Sequence, residues 1–281
     1  MRLALLASLL PLVGGWARAD PVSGIRRCAT QPFDRAAEHQ TQQLINLYGS
    51  ATVTASTQKV VPVYWHTITS SKGEGALNSS QIANQMKVLN QDYAATGFAF
   101  KLMGSDSTAN DDWFYKVSPD DIKSQTPMKE KLRKGGANTL NFYSVNLTDG
   151  TLGFSTFPND YQTEPVQDGV VFHHSTVPGG PWGDQYSRGK TVVHETGHWM
   201  GLYHTFEPGN CADPNGDFVS DTPPQKIATE GCPTTTQDSC PGDGVDLIHN
   251  YMDYSWDSCM TGFTKGQIVR MHTLTGLYRG L

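Results

Sequence analysis

The stretch His194-Glu-Thr-Gly-His-Trp-Met-Gly-Leu-Tyr-His204 constrains this chain more than any other. Residues four apart on a helix share a face, so His194 and His198 project together, one turn apart, and can hold one cation. Glu195 sits beside the first of them, where its carboxylate can reach a water at that cation without ligating the cation itself, as a general base must. Gly201 tolerates a positive φ, so the helix can stop there and the chain can turn back to deliver His204 as a third nitrogen donor. Three neutral imidazoles leave a fourth position open, which is the donor set of a catalytic Zn2+; a structural zinc is closed by four protein ligands, and no Cys pair here has CxxC spacing. The extended pattern HExxHxxGxxH is far more specific than HExxH alone.

The setting of that motif follows from the rest of the chain. Of its 281 residues, the first nineteen read as a signal peptide: Arg2, an apolar run from Leu3 to Val13, then Ala17-Arg18-Ala19 as a small-x-small cleavage site. The run falls short of the roughly 20 residues a membrane-spanning helix needs, and no later segment is longer, so the chain reads as secreted and extracellular, with no membrane partner. A net charge of -6 without a basic face excludes a nucleic-acid partner. In a secreted protein Asn78 and Asn146, each in an N-x-S/T sequon, are glycosylation candidates. Cys211, Cys232, Cys240 and Cys259 cluster in the last third and allow three disulfide pairings, while Cys28 stands apart as an odd thiol.

Hydrophobic patterning predicts a helix around residues 33–48, a strand over 59–70, a helix over 79–97 with Ile82, Met86 and Leu89 on one face, and a strand over 98–104. Further strands are expected over 138–147 and 168–177, so that strands and a helix precede the metal motif. Residues 207–247, rich in Pro, Gly, Asp and Thr, predict an irregular region, followed by a last helix with Thr264 as N-cap. His173 and His174, adjacent on a strand, should face opposite sides; with His39, His66, His249 and His272 they are read as structural or surface histidines.

Met252 lies in a tight polar-aromatic turn, "HNYMDYSWDSCM", and Tyr254 follows it, which resembles the Met-turn of metzincin metalloproteases. Together with "HETGHWMGLYHTF", "GDFVSDTPPQ", the four clustered cysteines and "NYMDYSWDSCMTGFTKGQ", it makes most of residues 60 to 275 similar to the pappalysin family, and in particular to compact secreted members of the fungal extracellular metalloproteinase type. The resemblance implies an α+β fold: a mixed five-stranded sheet with a backing helix and an active-site helix, then an irregular, disulfide-stapled C-terminal subdomain with a final helix. It implies a signal peptide (1–19), a propeptide (20–58), an N-terminal catalytic subdomain (59–201) and a C-terminal subdomain (202–281). It also implies a crossed pairing, Cys211 with Cys240 and Cys232 with Cys259, and Ca2+ near the oxygen-rich run Asp213, Asp217 and Asp221. Met252 would floor the histidines, and Tyr254 would hydrogen-bond the tetrahedral intermediate.

Cys28, in "RRCAT", resembles a cysteine switch, although Ala29 stands where the family usually has glycine; its thiolate would occupy the open position on the metal. "LGFSTFP" (152–158) would be the edge strand that pairs with an extended polypeptide substrate, and Asp257 would favour a basic residue just after the scissile bond. The function implied is a secreted, monomeric zinc endopeptidase made as a zymogen. The alternative is a proteolytically silent zinc-binding module of the same fold, which would have little need of Glu195.

Overall fold

The computed structural model describes residues 24–31, 34–48 and 58–281 apart from residue 243. The span read as a signal peptide (1–19) therefore lies outside the described residues, as do 20–23, 32–33 and 49–57 of the span read as a propeptide. Helix α1 (Arg35–Tyr48) precedes strand β1 (Lys59–Thr69), helix α2 (Ser79–Asp92) and strand β2 (Phe98–Ala109). Helices α3 (Asp111–Lys116) and α4 (Ile122–Leu132) lead to strands β3 (Leu140–Val145), β4 (Gly153–Ser155) and β5 (Val170–His173); helices α5 (Gly183–Tyr186), α6 (Lys190–Trp199) and α7 (Lys265–Arg279) follow.

The five strands form one mixed sheet in the order β2-β1-β3-β5-β4. All neighbours are parallel except β4, which runs antiparallel to β5 and occupies the edge. Both faces are covered. Alternate residues of each strand feed different clusters: Val61, Val63, Trp65, Phe142, Val170 and Phe172 face α2 and α6. Ile68, Tyr143, Val145, Phe154 and Val171 join Phe114, Met128 and Leu132 of α3 and α4 on the other side.

Helices α3, α4 and α5 are additions to the expected strands and single helix before the metal motif. Pro127 inside α4 breaks the helical pattern on paper, but Gln125, Met128, Lys129 and Leu132 are buried against the sheet and hold the helix in place. At the chain's other end, Thr264 caps α7 in a reciprocal capping box with Gln267. Among the described residues between α6 and α7 there is no helix or strand, so the irregular region is as the composition indicates. Two disulfides staple it, Cys211–Cys240 and Cys232–Cys259.

Packing joins the two halves. Tyr251, Met252, Met260 and Met271 belong to the same buried cluster as the sheet and α6. Arg279 of α7 donates to Trp199 O at the end of α6 (2.9 Å) and to buried Asp168 (3.0 Å), which also accepts from the Trp199 indole (3.2 Å). The active-site helix is thereby gripped at its C-terminal end by a helix more than sixty residues further along the chain.

Candidate metal centre

Helix α6 is buried along almost its whole length, an uncommon setting for a helix that begins with Lys190 and carries two histidines and a glutamate. Its N-terminus has no local side-chain cap. Asp257 substitutes from the Met-turn region: its Oδ2 accepts from Arg188 N (2.9 Å) and Lys190 N (3.2 Å), satisfying amides that α6 cannot pair itself. The helix ends at Trp199, and Gly201 takes φ 100°, where an L side chain would be strained and a Cβ would strike Leu274. This turn brings His204 back to the helix.

The three imidazoles converge. His198 Nε2 lies 3.2 Å from His194 Nε2 and 3.1 Å from His204 Nε2. Nitrogens bound at about 2.1 Å to one tetrahedral cation are separated by about 3.4 Å, close to that spacing. Each ring's far nitrogen is tied down: His194 Nδ1 donates to Tyr251 O (2.7 Å), His198 Nδ1 to Leu202 O (2.8 Å) and His204 Nδ1 to Glu207 Oε1 (2.7 Å). These bonds leave all three Nε2 atoms as bare acceptors facing one another, an arrangement that asks for a cation rather than a proton. Burial, then the neighbouring imidazoles, holds His194 and His198 far below the ordinary histidine range, so they stay neutral donors.

Cys28 completes the cluster. Its sulfur lies 3.5 Å from His198 Nε2, and the four ligand atoms of Cys28, His194, His198 and His204 all fall within 4.8 Å of one another. Nitrogen and sulfur donors in this number suit zinc and do not suit calcium or magnesium, which take oxygen. Glu195 stands beside them without joining them. Its Oε2 accepts from Thr30 Oγ1 (2.9 Å) and the Cys28 thiol (3.4 Å), and its buried Oε1 has no partner among the described residues. Burial raises its carboxyl to about 8, against the lowering effect of the Cys28 and Thr30 bonds. The Cys28 thiol is pushed up as well, by burial first and then by the Glu195 charge.

Beneath the histidines, fully buried Met252 packs under α6, and its sulfur occupies the space that a side chain at Gly197 would fill. Tyr254 closes one side; its ring stands edge-on to that of His204 (5.0 Å) and its hydroxyl donates to Cys28 O (3.1 Å).

Segment 26–30 runs alongside the β4 edge, held by backbone hydrogen bonds and one isolated bridge and not as a regular strand. Leu152 N donates to Arg26 O, Ala29 N to Gly153 O, and Arg26 bridges Thr151 in the parallel sense. Arg27 turns away to Asp257, where its guanidinium donates at 2.8 Å, both side chains being buried, and lies over the Tyr186 ring.

Other expected residues sit elsewhere. Asp213 pairs with Arg35, Asp217 accepts from Val219 N and Thr222 Oγ1, and Asp221 accepts from Thr264 Oγ1 and Gly266 N at the start of α7. Each of the three carboxylates is engaged by a different partner, and among the described residues the Cys28–histidine group is the one cluster of three or more His, Cys, Asp or Glu ligand atoms. Exposed Asn78 caps α2, and Asn146 accepts from His173. His173 and His174 do not face opposite ways. The chain leaves β5 at His173 for a short 3-10 turn, which stacks the two rings at 4.6 Å. Sequence reasoning passed over Thr30, Glu207 and Arg27; only Glu207, three residues after His204, had a spacing that could have found it.

A family model described as pregnancy-associated plasma protein-A, peptidase M43, matches residues 136–275. The extracellular metalloprotease of Arthroderma gypseum is 43% identical over 92% of this chain and 86% of its own. The protein belongs to the pappalysin family. Another pappalysin relative, extracellular metalloprotease 1 of Coccidioides posadasii, is 41% identical over 95% of each chain. Among solved structures, a mutant of Tannerella forsythia promirolysin superposes with a TM-score of 0.72 at 27% identity, covering 89% of this chain and 94% of that one. Mature mirolysin of the same organism, in complex with a cleaved peptide, gives 0.66 at 30% identity over 79% and 93%. This pappalysin is therefore a metalloprotease of metzincin fold from an extracellular group, and no helix among its described residues is long and apolar enough to cross a membrane.

Proposed function

We propose that the chain is the latent precursor of a secreted zinc endopeptidase, in which Cys28 blocks the metal, Glu195 is the general base and Asp257 receives a basic side chain just after the scissile bond. The observation that carries this reading is the seating of Cys28 in one cluster with the three histidines while the adjacent Arg27 occupies Asp257. The wider coverage of this chain by promirolysin than by mature mirolysin supports the same division between a prosegment and a mature enzyme.

His194, His198 and His204 would hold the zinc, which supplies Lewis acidity that makes water nucleophilic near neutral pH and polarises the scissile carbonyl. Glu195 takes the proton from that water and returns it to the leaving amine, a step typically contributing about 10²–10⁴-fold. In the latent form its Oε2 is occupied by Thr30 and Cys28, so the base is engaged as well as the metal. The Cys28 carbonyl is directed to the Tyr254 hydroxyl and its sulfur to the histidines, so the peptide bond itself is not offered for attack. Once the prosegment leaves, the freed edge of β4 can pair with an extended substrate, and Tyr254 regains a hydroxyl for the oxygen of the tetrahedral intermediate. Exposed Asn78 is the better placed of the two sequons for a glycan.

Digestion of casein by the secreted protein and by Glu195→Ala tests the reading: equal activity would remove it. Cleavage sites mapped in a denatured protein test Asp257, which predicts Arg or Lys immediately after the scissile bond.

A further inference from the structure

Helix α1 carries one carboxylate into the interior. Glu38 is 2% exposed and meets Arg270 of α7 in a two-pronged pair, Nη1 to Oε1 at 3.0 Å and Nη2 to Oε2 at 2.8 Å; the Tyr203 hydroxyl donates to the same Oε2 at 2.8 Å. Burial opposes ionisation of Glu38, and the bonds and charge of Arg270 outweigh it, keeping the carboxyl below its ordinary range. Of these partners, only Glu38 and its neighbour Gln42, which donates to Oε1 at 2.7 Å, lie in the prosegment.

The receiving groups are fixed by the body of the protein. Arg270 Nε donates to Gly201 O (2.8 Å), and its guanidinium lies 4.7 Å from the centre of the Tyr203 ring and 5.8 Å from that of Phe218. The Tyr203 ring meets Phe157 at 5.1 Å, and Phe157 meets the His198 ring at 5.5 Å. The receptor is thus two rings from a metal ligand, on the side where β4 runs on to Phe157. The prosegment marks out the cleft between two charged stations: Arg27 on Asp257, Cys28 at the histidines, and Glu38 on Arg270.

We infer that Arg270 and Tyr203 form a carboxylate-binding subsite of the mature enzyme, across the scissile bond from Asp257, which receives an Asp or Glu side chain of the substrate and which Glu38 fills in the precursor. The inference rests on the zymogen reading. Departure of α1 removes the carboxylate from an oriented guanidinium whose Nε stays bonded to Gly201 O, leaving its Nη1 and Nη2 fork open to another carboxylate. A planar fork held by its own Nε and by ring stacking loses little freedom on taking up another carboxylate, and geometry of this kind selects a carboxylate over an amide. Within the body, Asp217 also acts on Arg270 through its charge; its Oδ1 is engaged by Val219 N and Thr222 Oγ1, and its Oδ2 makes no hydrogen bond among the described residues, to Arg270 or to any other group.

The test uses the active enzyme and fluorogenic peptides with Arg immediately after the scissile bond and Glu or Gln at each successive position on the other side. The expected result is one position at which Glu raises kcat/KM over Gln by about tenfold. In Arg270→Gln that ratio falls to about one. Should that variant not fold, Tyr203→Phe, which keeps the ring and loses one donor, lowers the ratio partway. A ratio near one at every position in the wild type, or a ratio unchanged in Tyr203→Phe and Arg270→Gln, overturns the subsite. Intact mass of the active form separates the two readings. If residues 24–48 are gone and no ratio departs from one, the subsite alone fails; if they remain in the active enzyme, the zymogen reading fails and takes the subsite with it.

Discussion

Glu195 shows how a single side chain depends on what surrounds it. Burial beside a thiol and a hydroxyl raises its carboxyl to about 8; removal of residues 26–31 would admit water and relieve that burial. Glu195→Gln should lower kcat/KM by about 10²–10⁴-fold while leaving the metal content of the purified protein, measured by elemental mass spectrometry, as in the wild type. Loss of metal in that variant would make Glu195 a ligand instead. Asp217 gives a prediction of a different kind. Burial lifts it from 3.8 to about 7, against its bonds from Thr222 and Val219, so the native state binds a proton there that the unfolded chain releases. That contribution is fully present below about pH 4 and is lost as pH rises through 7. Asp217→Asn should match the wild type in denaturant unfolding near pH 4 and exceed it by at most about 4 kcal/mol near pH 8. If calcium binds Asp217, the order at pH 8 reverses when calcium is added.

At the scale of elements, α6 does its work because other segments complete it: Asp257 caps its start, Gly201 ends it, and Met252 fits against Gly197. Gly197→Ala places a methyl where the Met252 sulfur lies and should destabilise the fold by about 1–3 kcal/mol, read as a lower melting temperature together with reduced metal occupancy. The segment 26–30 beside β4 is the other decisive piece. Cys28→Ser should give a precursor that is already active on a peptide substrate before processing; latency equal to the wild type would leave the switch without support. Within these elements much was readable beforehand. The spacing of His194, Glu195, His198, Gly201 and His204 is a property of one helix and one turn, and Thr264 announces α7 through a capping box. Helices α3, α4 and α5 were not readable, since two are short and the third contains Pro127; α3 and α4 depend on the sheet face they cover.

For the molecule as a whole, the two halves share one buried cluster, and the irregular region between α6 and α7 relies on its bridges more than on regular hydrogen bonding. Each disulfide spans nearly thirty residues, 29 and 27 apart, so replacing the pair Cys232 and Cys259 by Ser should cost about 3 to 4 kcal/mol on the loop-entropy argument. Equilibrium unfolding in denaturant measures it, and a loss below 1 kcal/mol would mean that packing, not the bridge, holds the Met-turn region.

The chemistry of this protein was legible in one dimension because it rests on neighbours: periodicity puts His194 and His198 on one face and Glu195 beside them, whatever the rest of the chain does. The control of that chemistry was legible only through resemblance: "RRCAT" pointed to Cys28 and the Met-turn region to Asp257, while Arg27, Thr30 and Glu38 left no signal. Asp257 with Arg27, Cys28 with Glu195 and Arg270 with Glu38 are separated by 230, 167 and 232 residues. Contacts at such distances leave no period or spacing to read; they exist only once the sheet, α6 and α7 have closed around residues 26–31 and α1 and water has been driven from between the charges.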